Sequence, residues 1–99
     1  MVRLSEEAAR QIRDRAIYCR QKHYDGALRN FRAAIENAGR RIDREPERGL
    51  TSPRPYPDVV IADVRWIIEG RYWFAYAPTP KPATILAIFL DTDNIPGRI

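Results

Sequence analysis

Few of the 99 residues carry reactive groups at a spacing that chemistry could use. The only histidine, His23, stands at the end of a helical stretch, where a capping or surface role is enough to account for it. The only cysteine, Cys19, falls among small apolar residues with no activating dyad nearby, so it reads as core. Asp91, Asp93 and Asn94 alternate as cation ligands do. Three short side chains without a glutamate or a long loop fall short of a calcium site, and they read instead as the turn leaving a strand. A P-loop, a GxGxxG fingerprint, HExxH and Cys/His metal spacings are all missing from the sequence. Neither a metal nor a cofactor is expected.

What stands out is the concentration of arginine and aromatic residues in Arg65, Trp66, Arg71, Tyr72, Trp73 and Tyr76. Arginine among aromatics could meet RNA bases, DNA phosphate or the apolar segment of a protein partner. On a strand, Tyr72, Phe74 and Tyr76 share one face, and Trp73 lies on the other with Ala75. Either set alone is accounted for as core. The two together predict a partner covering one of them.

These residues sit in the stretch from Asp63 to Ile99, which reads as a small antiparallel sheet that the rest of the chain supports. Val64 to Glu69 and Tyr72 to Ala77 flank Gly70 and Arg71, a two-residue hairpin with glycine where positive φ is needed. Pro78 to Pro82 form the next turn. Thr84 to Leu90 is the last strand, and its unbroken apolar character predicts cover on both faces. Ile88 and Leu90 thereby join the candidate binding surface, because one face meets the helices and only the tail and a proline loop are left for the other.

Upstream, Val2 to Leu4 has the length of one edge strand. Ser5 is placed to cap a helix, with Glu6 and Glu7 in its first turn, where negative charge complements the helix dipole. Ala8, Ala9, Ile12, Ala16 and Cys19 recur every three or four residues and predict one buried stripe, with the helix running to about His23. Tyr24, Asp25 and Gly26 make the break, with Asp25 as the next N-cap. Leu28, Phe31, Ile35, Ala38 and Ile42 then lay a narrow seam against an antiparallel neighbour. Glu36 and Arg40 stand four apart in the favourable order, and Pro46 ends the helix. From Pro46 to Asp58 four prolines make a stiff strap, followed by a lead-in segment from Val59 to Ala62. The expected fold is therefore α+β: a short N-terminal strand and an antiparallel helical hairpin packed on a small, mainly antiparallel sheet, in the order β-α-α-β-β-β. One domain spanning 1–99 is expected at this length.

Composition narrows the partner. The net charge of +4 and pI near 9.6 favour an acidic one, and arginine supplies nearly all of the positive charge, the only lysines being Lys22 and Lys81. No apolar run is long enough to cross a bilayer and no leader with a cleavage site opens the chain, so a cytoplasmic protein is expected. The lone cysteine agrees with a reducing compartment.

The element order, with the segments VRWIIEGRYWFAY and ILAIFLDTDNIPGRI, resembles the ParE/RelE superfamily of toxins from type II toxin–antitoxin systems. The resemblance covers nearly the whole chain. It is most specific at Val64 and Arg65, at Gly70, Arg71, Tyr72 and Tyr76, and at Ile85 and Leu86 with Ile95 and Pro96 downstream. It implies a small basic toxin that inhibits growth by binding an essential target, most simply DNA gyrase, without itself reading DNA sequence. It further implies a hetero-oligomer with an acidic ParD-like antitoxin that covers the open sheet face. RelE-like members instead cleave ribosome-bound mRNA, and here Arg65, Arg71 and Tyr76 would be the only credible catalytic set. Where such enzymes place cations this chain has Trp73 and the segment Asp91 to Asn94, so a non-enzymatic, ParE-like toxin is expected. Departures from the ParE pattern at Ala77, Ala87, Leu90 and Asp93 leave a third possibility, a member that only binds its antitoxin.

Overall fold

Ser5 begins the helical half of the molecule. In the computed structural model, which describes residues 1–98, its hydroxyl oxygen accepts the Ala8 N–H at 3.0 Å and starts α1 (Glu6–Gln21). The same hydroxyl donates to the Leu86 carbonyl at 2.8 Å, so the cap is also a joint to the last strand. α1 closes two residues before His23. His23 takes φ 58° and donates its N–H to Arg20, while the Tyr24 N–H reaches back to Cys19 at 2.8 Å. This left-handed closure uses carbonyls the helix would otherwise leave unpaired, which gives His23 a structural role.

α2 (Asp25–Arg44) follows at once, and this corrects the placement of its cap. Tyr24 occupies the N-cap with no side-chain bond, and Asp25 is already helical, its carboxylate in the first turn favoured by the dipole. Leu28, Phe31, Ala38 and Ile42 are buried as the spacing predicts, with Ala34 buried in place of the half-buried Ile35. Glu36 and Arg40 do not pair. Arg40 bonds the Asn37 side chain, and the ion pair that ties α2 to the sheet is Arg41 with Glu69 at 2.8 Å.

The sheet is β-α-α-β-β-β in sequence and runs β1-β4-β3-β2 in space. β1 (Arg3–Leu4) pairs parallel with β4 (Thr84–Leu90) at one edge, and β2 (Arg65–Glu69), β3 (Tyr72–Ala77) and β4 are antiparallel. Gly70, at φ 59°, and Arg71 form the two-residue hairpin between the facing pair Glu69 and Tyr72. Ala75 faces Ala87 and Tyr76 faces Ile85, so Leu86 is an extra residue on β4. That bulge lets Ile85 and Ile88, which an uninterrupted strand would turn to opposite faces, both point into the core beneath the helices. Tyr72, Phe74 and Tyr76 share that layer with Phe31 and Ala38, and the Phe31 and Tyr72 rings lie 4.9 Å apart.

The other face has its own cover. Trp66, Trp73, Ala75, Phe89 and Ile95 form a second core, against which Tyr56, Val59 and Val64 pack. The strap between α2 and β2 opens with a 3₁₀ turn (Pro46–Arg48) and then adds a bridge, Leu50 and Trp66 exchanging two backbone bonds of 2.8 Å. Ile95 comes from a second 3₁₀ turn (Ile95–Arg98), which the Tyr56 hydroxyl holds by donating to the Asp93 carbonyl at 3.3 Å. The expectation that a partner must cover this face is therefore corrected: the strap and the tail together remove both tryptophans from solvent. Among the described residues no helix is long and apolar enough to cross a membrane.

Candidate interaction surface

The sheet residues singled out from sequence divide into two groups. Trp66 is fully buried and Trp73 is 2% exposed, both under the strap. Arg54 sets its guanidinium 5.3 Å from the centre of the Trp73 ring, a cation–π contact that closes the cover. Tyr72, Tyr76 and Ile88 are buried on the helical side, and Leu90 is partly buried there. The residues of this set that present polar chemistry at the surface are Arg65, half-buried, and Arg71, exposed. Trp66, Trp73 and Tyr76 act as core in the free chain; the signal that could have shown this is the apolar content of the strap itself, in Tyr56, Val59 and Val64.

Arg65 and Tyr76 face each other across β2 and β3. The Tyr76 hydroxyl donates to the Pro46 carbonyl at 2.7 Å, and Arg65 donates to the Gly49 carbonyl at 3.4 Å with Glu47 at 4.0 Å. Burial pushes the Tyr76 phenol above its ordinary value, against a smaller opposing pull from the Gly49 backbone. A phenol held neutral and bonded to a backbone carbonyl is poorly placed to shuttle protons. Arg71 is at the far end of β3, about 16 Å away by strand rise, paired with Asp91 at 3.4 Å. The structure therefore does not bring Arg65, Arg71 and Tyr76 around one phosphate.

Exposed apolar side chains lie on the strap, at Leu50, Val60 and Ile61, and on the helical hairpin, where they border a groove. Between α1 and α2 a slot of about 360 Å³ is lined by Ile12, Ala16, Ile17, Leu28 and Phe31. Arg13, Arg20 and Arg32 stand on its rim, and none of them forms an ion pair among the described residues. Ile17 is 50% exposed, and Tyr18 and Tyr24 beside it meet edge to face at 6.1 Å. Small residues at Ala16 and Cys19 let the helices close at this end, and their size leaves the slot open above them. Ile17 falls off the heptad-like stripe, which is why the stripe alone did not reveal it. Among the described residues no cluster of His, Cys, Asp or Glu has the arrangement of a metal site.

Comparison with protein-family models gives no match, and comparison with curated proteins gives no significant one.

Proposed function

We propose that the chain is the toxin of a type II toxin–antitoxin system, ParE-like in kind, acting by binding DNA gyrase and silenced by an acidic ParD-like antitoxin. The observation that carries this reading is the slot between α1 and α2: apolar along its floor, open to solvent, and bordered by the uncompensated Arg13, Arg20 and Arg32. Such a groove suits the apolar face of a partner helix flanked by acidic residues, with arginine contributing charge-assisted bonds at the rim. The α+β layout agrees with the resemblance drawn from VRWIIEGRYWFAY and ILAIFLDTDNIPGRI. The dispersal of Arg65, Arg71 and Tyr76 supports binding over ribonuclease chemistry.

Titrated expression of the chain alone is expected to arrest growth and induce a DNA-damage response, and the purified chain to inhibit gyrase supercoiling. Co-expression of a short acidic reading frame beside the gene should restore growth. Normal growth at verified soluble expression overturns the toxin reading. Codon-specific cleavage of mRNA on translating ribosomes would move the chain to the RelE class.

A further inference from the structure

A second cleft, of about 440 Å³, opens between α1, the end of β4 and the C-terminal turn, and takes in Tyr72, Ile88 and Leu90 of the sequence-predicted set. Its volume is that of a site for a small organic ligand. The floor is apolar, made by Phe31, Tyr72, Ile88 and Leu90.

Its charges are unevenly committed. Arg10 is neutralised, with Nε and Nη2 on Glu7 at 3.0 and 2.6 Å and Nη1 on Asp14 at 2.9 Å. Asp93 is committed too, its Oδ2 accepting the Leu90 N–H at 2.9 Å. Both aspartates of the lining are thus engaged. Arg15 and Arg98 form no ion pair among the described residues, although Arg98 lies near enough to Glu7 to help Arg10, the larger influence, hold its carboxyl below the ordinary value. Arg15 is half-buried, and of the neighbouring charges it acts most strongly on the Tyr72 phenol, which is 8% exposed. Gln11 accepts the Ile88 N–H through Oε1 at 2.8 Å, which fixes its amide on the wall with the nitrogen left to donate. A partly desolvated guanidinium without a counter-ion is costly, and an anion would relieve it.

We propose that this cleft binds a carboxylate or phosphate carried on an aromatic or branched apolar body, the anion held by Arg15 and Arg98 and the body resting on Tyr72, Ile88 and Leu90. The cations supply directional, charge-assisted donors, and the floor supplies apolar area that an inorganic anion cannot use. This site shares no arginine with the helical slot, and it stands whether or not the chain is a toxin.

The test is titration of the purified full chain, followed by amide NMR shifts, with phenyl phosphate, N-acetylphenylalanine, its neutral amide, and inorganic phosphate. Both organic anions are expected to bind saturably with Kd near or below about 1 mM, with shifts centred on Tyr72 and Ile88. Whichever of the two binds more tightly identifies the natural anion as phosphate or carboxylate. Arg15→Gln should weaken binding about tenfold, and so should Arg98→Gln, which lies on an exposed turn and leaves the core untouched. Arg40→Gln, an equal charge change on the outer face of α2, should leave binding unaltered. No saturable binding by about 10 mM overturns the proposal. So does inorganic phosphate binding as tightly as phenyl phosphate, the neutral amide binding as tightly as the acid, or Arg40→Gln weakening binding as much as Arg15→Gln.

Discussion

Tyr76 and Pro46 are joined by a 2.7 Å hydrogen bond from phenol to carbonyl, which fastens the central strand to the first turn of the strap. Gly49 passes so close to this junction that a Cβ there would stand 2.7 Å from the Arg65 Cβ and 3.0 Å from the Tyr76 ring. Neither neighbour is a flexible chain end. Gly49→Ala is expected to lower stability by about 1–3 kcal/mol, read as a fall in the urea midpoint. In a double-mutant cycle with Tyr76→Phe the two changes should couple by at least about 0.5 kcal/mol. Independent effects would mean that the strap does not bear on Tyr76.

The indole N–H of Trp66 is buried with no acceptor, while its ring stacks on Phe89 at 5.9 Å. An orphaned donor costs about 1–3 kcal/mol, comparable to what is lost by trimming the indole to a phenyl ring. Trp66→Phe should therefore stay within about 1 kcal/mol of the parent, whereas Trp66→Ala should lose about 3–5 kcal/mol. Equal losses in the two variants, measured by denaturation, would show that the indole nitrogen carries no penalty.

Two phenols lie in the helical core, and burial raises the pKa of both Tyr72 and Tyr76 above 10.0. A group with a raised folded-state pKa stabilises fully below its unfolded pKa and loses that contribution as pH rises through the folded value. Stability is expected to hold up to about pH 10 and then fall, with a slope of up to about 1.4 kcal/mol per pH unit for each phenol. In Tyr72→Phe with Tyr76→Phe the alkaline fall should be shallower than in the parent.

Ile17, half-exposed at the slot, offers a substitution that separates folding from recognition. Ile17→Glu keeps a good helix former, and its thermal midpoint should move little. If the proposed toxin reading holds, its binding to the proposed acidic antitoxin should weaken at least tenfold, about 1.4 kcal/mol, by calorimetry. Unchanged affinity would overturn the slot as the docking site.

Much of the fold is legible in the residues. Ser5 with Glu6 and Glu7, Gly70 in its hairpin, and the bounds of β3 and β4 follow from capping, turn chemistry and apolar runs set between turn signals, because each is decided within a few residues. What was not legible depended on distant parts of the chain. Trp73 looked like interface because its cover, Tyr56 with Val59, lies in a proline-rich strap that has no periodicity to announce a buried side. Ile85 and Ile88 could not be assigned to one face without the bulge at Leu86, which shows only in the pairing with β3. The helical slot was hidden for a related reason: Ile17 is a single residue off a stripe, and only the angle between two helices makes it part of a groove.

The bond from Ser5 to Leu86 joins residues 81 positions apart, and the parallel pair β1–β4 spans a similar separation. On a ribosome, β1 emerges long before the strand it must lie against. The sheet can close only after nearly all of this sequence has been synthesised, and such non-local pairing is slow to form. Until then β1 and the outer turn of α1 have no partner strand. Whatever surface the finished molecule offers is thus delivered late, after an interval in which a binding partner already present could meet the helical hairpin first.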